Sequence, residues 1–296
     1  MLIEIFDVDH GFCALVTVDD GQRILLDCGH SSLTGLRPSA VLSARGVGTL
    51  DALIVSHADE DHVSDLPELL RNVLVRSVII NDSLDSGTLS WIKDAAGTGP
   101  GVEALIWRKS PLWVEFMGGD LHPRLPQVKI MLYRNRYPWF DDLNNLSLVT
   151  FLHYGDIHAI FPGDLEASGW RSLLRDSRFC AELARVNLFI ASHHGRKNGF
   201  CEEVFHFCRP EVVVISDSAL QYASQEMTAR YADRALGVNF GSERRRVLTT
   251  RCDGTIRIYQ SLPRNTRAWI ITDRSISKAA QKKSPVLPGF QFSRSV

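Results

Sequence analysis

The chain has 296 residues, 45% of them hydrophobic and 23% charged, with a formal net charge of -1. This composition is that of an ordinary globular protein with a sizeable core. Apolar runs have only the length of strands, which excludes a membrane-spanning helix, and the six cysteines lack the spacing of a disulfide framework. The first residues alternate like a strand and carry no secretory signal, so we expect a cytoplasmic protein with reduced thiols.

The first half of the chain predicts strands before helices. In the first thirty residues, apolar alternation and the turn signal Asp19-Asp20-Gly21 predict strands over 2–6, 13–18 and 23–27. A buried strand, an amphipathic helix and a short strand are predicted over 52–55, 63–73 and 78–80. In the irregular stretch 83–126, the pattern favours a helix over 88–96 and a strand over 102–107.

The second half repeats this order. The patterns predict strands over 128–133, 146–152, 157–161, 186–191 and 212–215, and helices over 166–174, 200–207 and 225–236. Two further strands, 247–250 and 255–259, are predicted to form a closing hairpin around Asp253-Gly254. Strands thus open both halves and helices follow in each. This order favours two αβ layers packed sheet to sheet, with no linker between them.

The end of the chain is basic. From Gly241 to Val296 there are twelve Lys or Arg against three Asp or Glu, a net charge of +9 (12 − 3). Such a region is either a solvated surface or an electrostatic footprint for a polyanion such as nucleic acid, and composition leaves both interpretations open. The last thirty residues contain polar, basic and Pro-Gly segments, and we expect them to be partly disordered.

The most informative segment is the loop from residue 57 to residue 62, which follows the predicted strand over 52–55. Four of its side chains can ligate a metal ion, those of His57, Asp59, Asp61 and His62. Imidazoles and carboxylates this crowded repel one another and are poorly solvated unless a cation gathers them. The loop therefore predicts a metal site, and a polar surface turn is the alternative.

Three later segments place polar side chains at the ends of other predicted strands. Asp164 follows a strand and a glycine, and the adjacent His193 and His194 follow the strand over 186–191. Asn144 precedes the strand over 146–152, where an amide ligates weakly or holds a water molecule. Paired buried histidines without a partner are costly, which favours a ligand role. Polar groups that converge from several strand ends are typical of a site on a sheet scaffold.

Taken in this order, the motifs His-x-Asp-x-Asp-His, Asn-x-x-Ser, Pro-Gly-Asp and His-His-Gly resemble the metallo-β-lactamase superfamily. The most similar variant is the hydrolase domain of the ComEC-type DNA-uptake proteins and their stand-alone relatives. The segments 6–11, 25–29 and 247–256 resemble the same branch. The resemblance covers residues 1–260 and implies a hydrolase domain there, followed by a basic C-terminal extension over 261–296.

The resemblance implies an α/β fold, a four-layer αβ/βα sandwich, with a site for two divalent metal ions. It assigns the first ion to His57 and Asp59 and places Asp164 as the bridge between the two ions. The second ion then belongs to three residues, namely Asp61, His62 and either His193 or His194. The histidine of this last pair that binds no metal would face the substrate.

Two positions depart from the superfamily pattern. Asn144 lies where many members have a histidine, so its role as a ligand is open. Asp59 replaces the commoner second histidine of the loop. A carboxylate in place of an imidazole makes the site harder, so Mn²⁺ or Mg²⁺ becomes as plausible as Zn²⁺.

The implied chemistry is hydrolysis. Two divalent ions lower the pKa of a water molecule and present a nucleophile at neutral pH, with Asp61 and His194 in the catalytic machinery. Whichever of His193 and His194 is free is the candidate general acid. Arg196 and Lys197 could contact a phosphate, although solvation at the surface is the favoured interpretation.

The oxygen-rich ligand set and the basic end of the chain favour a phosphodiester substrate. The sequence therefore predicts a metal-dependent phosphodiesterase, a nuclease acting on DNA, that needs no membrane. Two alternatives stay open. One is a small-molecule hydrolase for a phosphoester, lactone or thioester, and the other is a non-catalytic, metal-stabilised module of a larger complex.

Overall fold

The structure of the chain is a computed structural model, and it describes residues 1–94, 97–107, 128–218, 227–240, 243–261, 268–281 and 290–291. None of the helices in these ranges is long and apolar enough to span a bilayer.

The strands, in chain order, are β1 (Leu2–Ile5), β2 (Ala14–Thr17), β3 (Arg23–Leu26), β4 (Thr49–Leu50), β5 (Ala52–Ile54), β6 (Leu74–Val75), β7 (Val78–Ile79), β8 (Lys129–Tyr133), β9 (Val149–Tyr154), β10 (Ile157–Phe161), β11 (Leu188–Ile190), β12 (Val212–Ile215), β13 (Val238–Phe240), β14 (Glu243–Arg245), β15 (Val247–Thr249), β16 (Ile256–Tyr259), β17 (Trp269–Thr272) and β18 (Phe290–Gln291).

The α-helices are α1 (Pro38–Ala44), α2 (Glu60–Val63), α3 (Leu66–Asn72), α4 (Ser86–Asp94), α5 (Pro100–Trp107), α6 (Ala167–Leu173), α7 (Ser177–Leu183), α8 (Thr228–Arg234), α9 (Thr250–Asp253) and α10 (Asp273–Gln281). Two 3₁₀ helices cover Ser192–Gly195 and Glu202–His206.

Two mixed sheets organise the described chain. The first has the strand order β18-β17-β16-β1-β2-β3-β5-β7, and the second has the order β15-β12-β11-β10-β9-β8. Successive side chains point to opposite sides of a sheet, and several strands carry buried apolar residues on both sides. In β2, Ala14 and Val16 face the other sheet, whereas Leu15 faces the helices. In β10, Phe161 faces the first sheet and Ile160 faces outward.

Three buried clusters separate four layers. One fills the space between the two sheets. A second packs α1, α3, α4 and α5 onto the outer face of the first sheet. The third packs α6, α7 and α8 onto the outer face of the second sheet, around the fully buried Trp170, Phe179 and Tyr231. This layering is a four-layer αβ/βα sandwich, so the predicted fold class is confirmed.

The predicted strand over 102–107 is wrong, because these residues belong to α5. Its apolar run carries helical spacing as well, since Val102 and Leu105 are both buried on one side of the helix. Proline is also favourable at the first helical position, which Pro100 occupies. The Glu60 carboxylate accepts hydrogen bonds from the first free amides, those of Gly101 (3.0 Å) and Val102 (3.0 Å). This cap comes from a residue 41 and 42 positions before the two amides, so a local sequence pattern cannot predict it.

The predicted closing hairpin is also wrong. β15 pairs with β12 in the second sheet, whereas β16 pairs with β1 in the first. The chain crosses between the sheets through α9, which separates the two strands. Asp253 fixes this crossing because its carboxylate accepts from the Thr249 amide (3.1 Å) and from Arg245 Nη1 (2.6 Å).

The remaining differences concern length and type. The helix predicted over 200–207 is a 3₁₀ helix, and α1 and α7 have no counterpart in the prediction. Residues 95–96 and 225–226, the ends of two predicted helices, lie outside the described residues. β17 pairs with β16 and β18 pairs with β17, so the first sheet continues beyond residue 260, where the resemblance placed the start of the extension.

Candidate metal centre

The candidate site lies where parallel strands end. β3 runs parallel to β5, and β11 runs parallel to both β10 and β12. The carboxyl ends of parallel strands meet at one edge of a sheet, where side chains can converge. Asp27 follows β3, His57 follows β5, Asp164 follows β10, and His193 and His194 follow β11. The convergence of His57, Asp164, His193 and His194 is the one that the sequence predicted, whereas Asp27 joins them without having been assigned.

Two glycines bring the loops of this edge together. A Cβ atom on Gly11 would lie 2.4 Å from the Asp61 carbonyl oxygen, and one on Gly29 would lie 2.1 Å from the same atom. Both distances are far inside van der Waals contact, so only glycine fits at either position. The Cys28 amide also donates to the His62 carbonyl (2.8 Å), which fixes the loop over 57–62 against the end of β3.

Three buried side chains form what we call the inner cluster, namely His57, His62 and Asp164. His62 Nε2 lies 3.2 Å from Asp164 Oδ1, and His57 Nε2 lies 3.9 Å from Asp164 Oδ2. Within the part of the chain that the structure describes, the buried His57 Nε2 makes no hydrogen bond. A buried polar atom without a partner is costly, so this set of two imidazoles and a carboxylate fits a cation.

A second group borders the first and is called the outer cluster, namely His10, Asp61 and His194. His194 Nε2 lies 3.4 Å from Asp61 Oδ2 and 3.4 Å from Asp164 Oδ2. His194 Nε2 also lies 3.2 Å from His62 Nε2. The clusters therefore share one boundary, at which Asp164 faces both.

Contacts at the Nδ1 atoms orient the imidazoles of His57, His62 and His194. Asp27 Oδ2 lies 2.7 Å from His62 Nδ1, and the Ser56 hydroxyl lies 3.0 Å from His57 Nδ1. His194 Nδ1 lies 3.0 Å from the Ser216 carbonyl oxygen, which only accepts, so this nitrogen carries the proton. Such contacts fix the tautomer that leaves Nε2 free for a metal ion. The carboxylate of Asp27 is itself held by the amide (2.6 Å) and hydroxyl (2.7 Å) of Ser56.

The carboxylates dominate the electrostatics of the site. Burial lowers the pKa of His194, but Asp164 and Asp61 outweigh burial and raise that pKa to about 9. In the same way, burial opposes but Asp164 and Asp27 raise the pKa of His62 well above its ordinary value. Burial raises the pKa of Asp61, yet His194 and His62 bring it down to about 2. The site thus stabilises positive charge. In the absence of a metal ion, protons on the His62 and His194 imidazoles supply this charge.

Asp59 lies beside the inner cluster and has a second cationic partner. Its Oδ2 is 3.4 Å from His57 Nε2, and its Oδ1 accepts a hydrogen bond from Lys93 Nζ (2.6 Å). Lys93 belongs to α4 and is 6% exposed. Burial raises the pKa of Asp59, but His57 and Lys93 outweigh burial and hold this pKa below its usual range. One oxygen of this candidate ligand is therefore already engaged by an internal cation.

The adjacent histidines of the 3₁₀ helix have different surroundings. Both have left-handed backbone conformations, with φ of 51° at His193 and 53° at His194, which is uncommon for residues other than glycine. His193 Nε2 is 3.6 Å from Asp164 Oδ2, and its Nδ1 is 3.5 Å from Glu166 Oε1. The same Glu166 oxygen accepts from the amide of Asn144 (3.3 Å). Asn144 thus reaches the site through Glu166 and His193.

The structure brings every predicted site residue to this edge, namely His57, Asp59, Asp61, His62, Asp164, His193 and His194. The structure places His62 in the inner cluster with His57, whereas the prediction placed it with Asp61 at the second ion. The division of the ligands between two ions stays a prediction. His10, Asp27 and Lys93 were not assigned from the sequence. His10 and Asp27 had a signal, because they lie in the segments 6–11 and 25–29 that carry the family resemblance, whereas Lys93 had none.

Fold and site together define a metal-dependent hydrolase. The family model described as the metallo-beta-lactamase superfamily matches residues 6–173, more than half of the chain, and the chain belongs to this superfamily. The predicted resemblance is thereby confirmed.

One curated relative is the ComE operon protein 3 of Bacillus subtilis (strain 168). It is 28% identical over 184 residues, which are 59% of this chain and 21% of that protein. The chain thus spans 21% of the length of this relative.

Similar solved structures include Igni18, a metallo hydrolase from Ignicoccus hospitalis KIN4/I. It has a TM-score of 0.49 and 17% identity, and the match covers 88% of this chain and 100% of that one. A diphosphatase from the PhnP family has a TM-score of 0.45 and 10% identity, with 86% and 85% of the two chains covered.

Proposed function

We propose that this chain is a metal-dependent phosphodiesterase that cleaves DNA with two divalent ions. The observation that carries the proposal is the pair of adjacent clusters with Asp164 at their boundary. Two neighbouring ions suit phosphodiester hydrolysis, since one can stabilise the attacking oxygen and the other the leaving oxygen. The resemblance of the sequence motifs to the hydrolase domain of the ComEC-type DNA-uptake proteins adds support for a DNA substrate.

The residues present fit divalent ions. His57, His62 and Asp164 would hold an ion at the inner cluster, with Asp59 beside them, and the outer cluster would hold the other. When bound, the ions supply Lewis acidity and lower the pKa of water. The mixture of imidazole and carboxylate suits Mn²⁺ and Zn²⁺, and the carboxylates keep Mg²⁺ within range.

We assign His194, rather than His193, to the metal. The Ser216 carbonyl sets the His194 tautomer, and His194 Nε2 faces Asp61 and Asp164. His193 then lies on the substrate side. Its pKa is lowered, first by burial, which disfavours the protonated form that a general acid needs. The contact of His193 Nε2 with Arg196 Nη1 (3.3 Å) likewise makes this nitrogen a hydrogen-bond acceptor.

The basic end of the chain supports the proposal less than its charge suggests. Arg245 pairs with Asp253 (2.6 Å), and Arg251 pairs with Asp217 (2.6 Å). Arg257 contacts both Glu4 (3.2 Å) and Asp273 (2.6 Å). These arginines are neutralised within the fold, so the choice of a phosphodiester rests on the clusters.

The test uses protein stripped of metal and reloaded with Mn²⁺, Mg²⁺ or Zn²⁺. Labelled single- and double-stranded DNA and bis-p-nitrophenyl phosphate are the substrates. Asp61→Ala removes a carboxylate of the outer cluster, and Asp20→Ala is the matched control because Asp20 is exposed in the turn between β2 and β3. Metal-dependent DNA cleavage lost in Asp61→Ala alone is the expected result.

Other outcomes would indicate a different function for this chain. Hydrolysis of bis-p-nitrophenyl phosphate without DNA cleavage would indicate a small phosphodiester as substrate. No hydrolysis of either substrate by metal-loaded protein would exclude the phosphodiesterase and leave a lactone or thioester hydrolase or the non-catalytic module.

A further inference from the structure

Arg196 is not the solvated surface residue that its sequence context favoured. Its side chain is half-buried and lies between two imidazoles. Nη1 is 3.3 Å from His193 Nε2, and Nη2 contacts His10 Nε2. Its Nε is buried and has no hydrogen-bond partner among the residues that the structure describes. The guanidinium is therefore held at two of its nitrogens while a third donor is left unused.

The charge of Arg196 is not balanced by an acid. No carboxylate oxygen in the described part of the chain lies within 4.0 Å of this guanidinium, in contrast to Arg245, Arg251 and Arg257. Its two imidazole partners add no negative charge. A guanidinium only donates hydrogen bonds, so the Nε2 atom of each ring is the acceptor in its contact with Arg196.

This unbalanced cation borders both clusters. His10 belongs to the outer cluster, and its ring centroid lies 4.6 Å from that of His194. His193 Nε2, which contacts Arg196 at 3.3 Å, lies 3.6 Å from Asp164 Oδ2. His193 Nε2 thus lies between the Arg196 guanidinium and the Asp164 carboxylate, which faces both clusters. An oxyanion there would face ligated cations on one side and Arg196 on the other.

We propose that Arg196 is a specificity-determining residue that binds a non-bridging phosphate oxygen of the substrate. The inference rests on the proposed function, because it names the group that the phosphodiester would contact. The guanidinium fork matches a phosphate in geometry, and a charge-assisted hydrogen bond is stronger than one between neutral groups. The free Nε donor supplies the contact that two imidazoles cannot satisfy.

The test measures binding of inorganic phosphate to the metal-loaded full chain by calorimetry, with acetate in a parallel titration. Arg196→Gln removes the charge, and Arg196→Lys keeps the charge but loses the fork. Arg175→Gln is the matched control, since Arg175 is exposed. We expect phosphate affinity to fall about tenfold or more in Arg196→Gln and by less in Arg196→Lys. Metal content and melting temperature are measured for each variant.

Three results would overturn the proposal. The first is wild-type phosphate affinity in Arg196→Gln with both ions bound. The second is loss of metal together with phosphate in both Arg196 variants, which would make Arg196 a support of the clusters. The third is acetate binding as tight as phosphate binding. If Arg196 binds phosphate but DNA and bis-p-nitrophenyl phosphate stay intact, the proposed function fails while the phosphate site stands.

Discussion

Asp27 Oδ2 lies 2.7 Å from His62 Nδ1, behind a ring whose other nitrogen faces Asp164. A carboxylate in this place fixes the tautomer of the imidazole and makes its free nitrogen a better ligand. Asp27 also occupies a left-handed backbone conformation, with φ of 56°. Asp and Asn tolerate this conformation better than most residues, so Asn can replace Asp27 without new backbone strain.

We therefore predict that Asp27→Asn keeps the fold but weakens metal binding about 10- to 100-fold, the usual effect of losing a partner behind a ligand. Competition with a chromogenic chelator measures the affinity, and circular dichroism checks the fold. Unchanged affinity in a folded variant would show that His62 binds metal equally well without the Asp27 carboxylate at its Nδ1 atom.

The metal-free protein should lose stability as the pH rises. His194 has a pKa of about 9 in the folded chain and an ordinary value of 6.5 when unfolded, and the pKa of His62 is raised as well. Their protonation stabilises the fold fully below pH 6.5, and this contribution is lost as the pH rises through about 9. Urea unfolding of metal-free protein at pH 6.5 and pH 9 measures the difference.

Metal loading supplies the internal control for this prediction. A ligating imidazole is deprotonated, so metal binding at pH 7 should release protons and the loaded protein should show a flatter pH profile. Calorimetry in two buffers of different ionisation enthalpy counts the protons. Equal stability of the metal-free protein at both pH values would contradict the prediction that His62 and His194 are protonated in the metal-free fold.

Lys93 should act as an internal counter-cation for Asp59. Lys93→Met leaves the Asp59 carboxylate, which is 36% exposed, without its 2.6 Å partner. We expect the metal-free variant to unfold about 1–2 kcal/mol more easily, since one partner of the pair stays partly in water. Divalent ions should restore more stability to this variant than to the wild type, because they meet an unpaired carboxylate.

Melting temperatures with and without Mn²⁺ test this expectation. Lys197→Met provides a comparison, since Lys197 is exposed. If Mn²⁺ stabilises Lys93→Met no more than the wild type, Asp59 does not contribute to ion binding.

The contact of Gly29 with Asp61 should not tolerate a methyl group. In Gly29→Ala the new Cβ would meet the Asp61 carbonyl oxygen at 2.1 Å, so the loop over 57–62 must shift. We expect a loss of about 2 kcal/mol or more in stability and weaker metal binding, as for other overpacked sites. Gly48→Ala is the control, because nothing lies within 4 Å of the added atom. Equal melting temperatures for the two variants would contradict this packing.

The sequence predicted most of the side chains that form the two clusters, but not the residues that contact those side chains from other elements. His57, Asp164 and His194 follow apolar strands, and strand ends are a local signal. Lys93 gave no such signal, and the place of Arg196 after His-His-Gly did not reveal its contact with His10. The contacts of both residues join elements distant in the chain. The same limit applies to the fold, since local pattern predicted the sandwich but could not place α5, whose cap Glu60 lies elsewhere.

The pairing of β1 with β16 has a consequence for synthesis of the chain. It joins residues 2–5 to residues 256–259, so β1 is completed by a strand that is synthesised much later. During translation β1 can pair with β2, but its other edge stays open until residue 259 has left the ribosome. An exposed strand edge is a template for pairing with other chains. Until β16 has been synthesised, the open edge of β1 is therefore a site at which the nascent chain can aggregate.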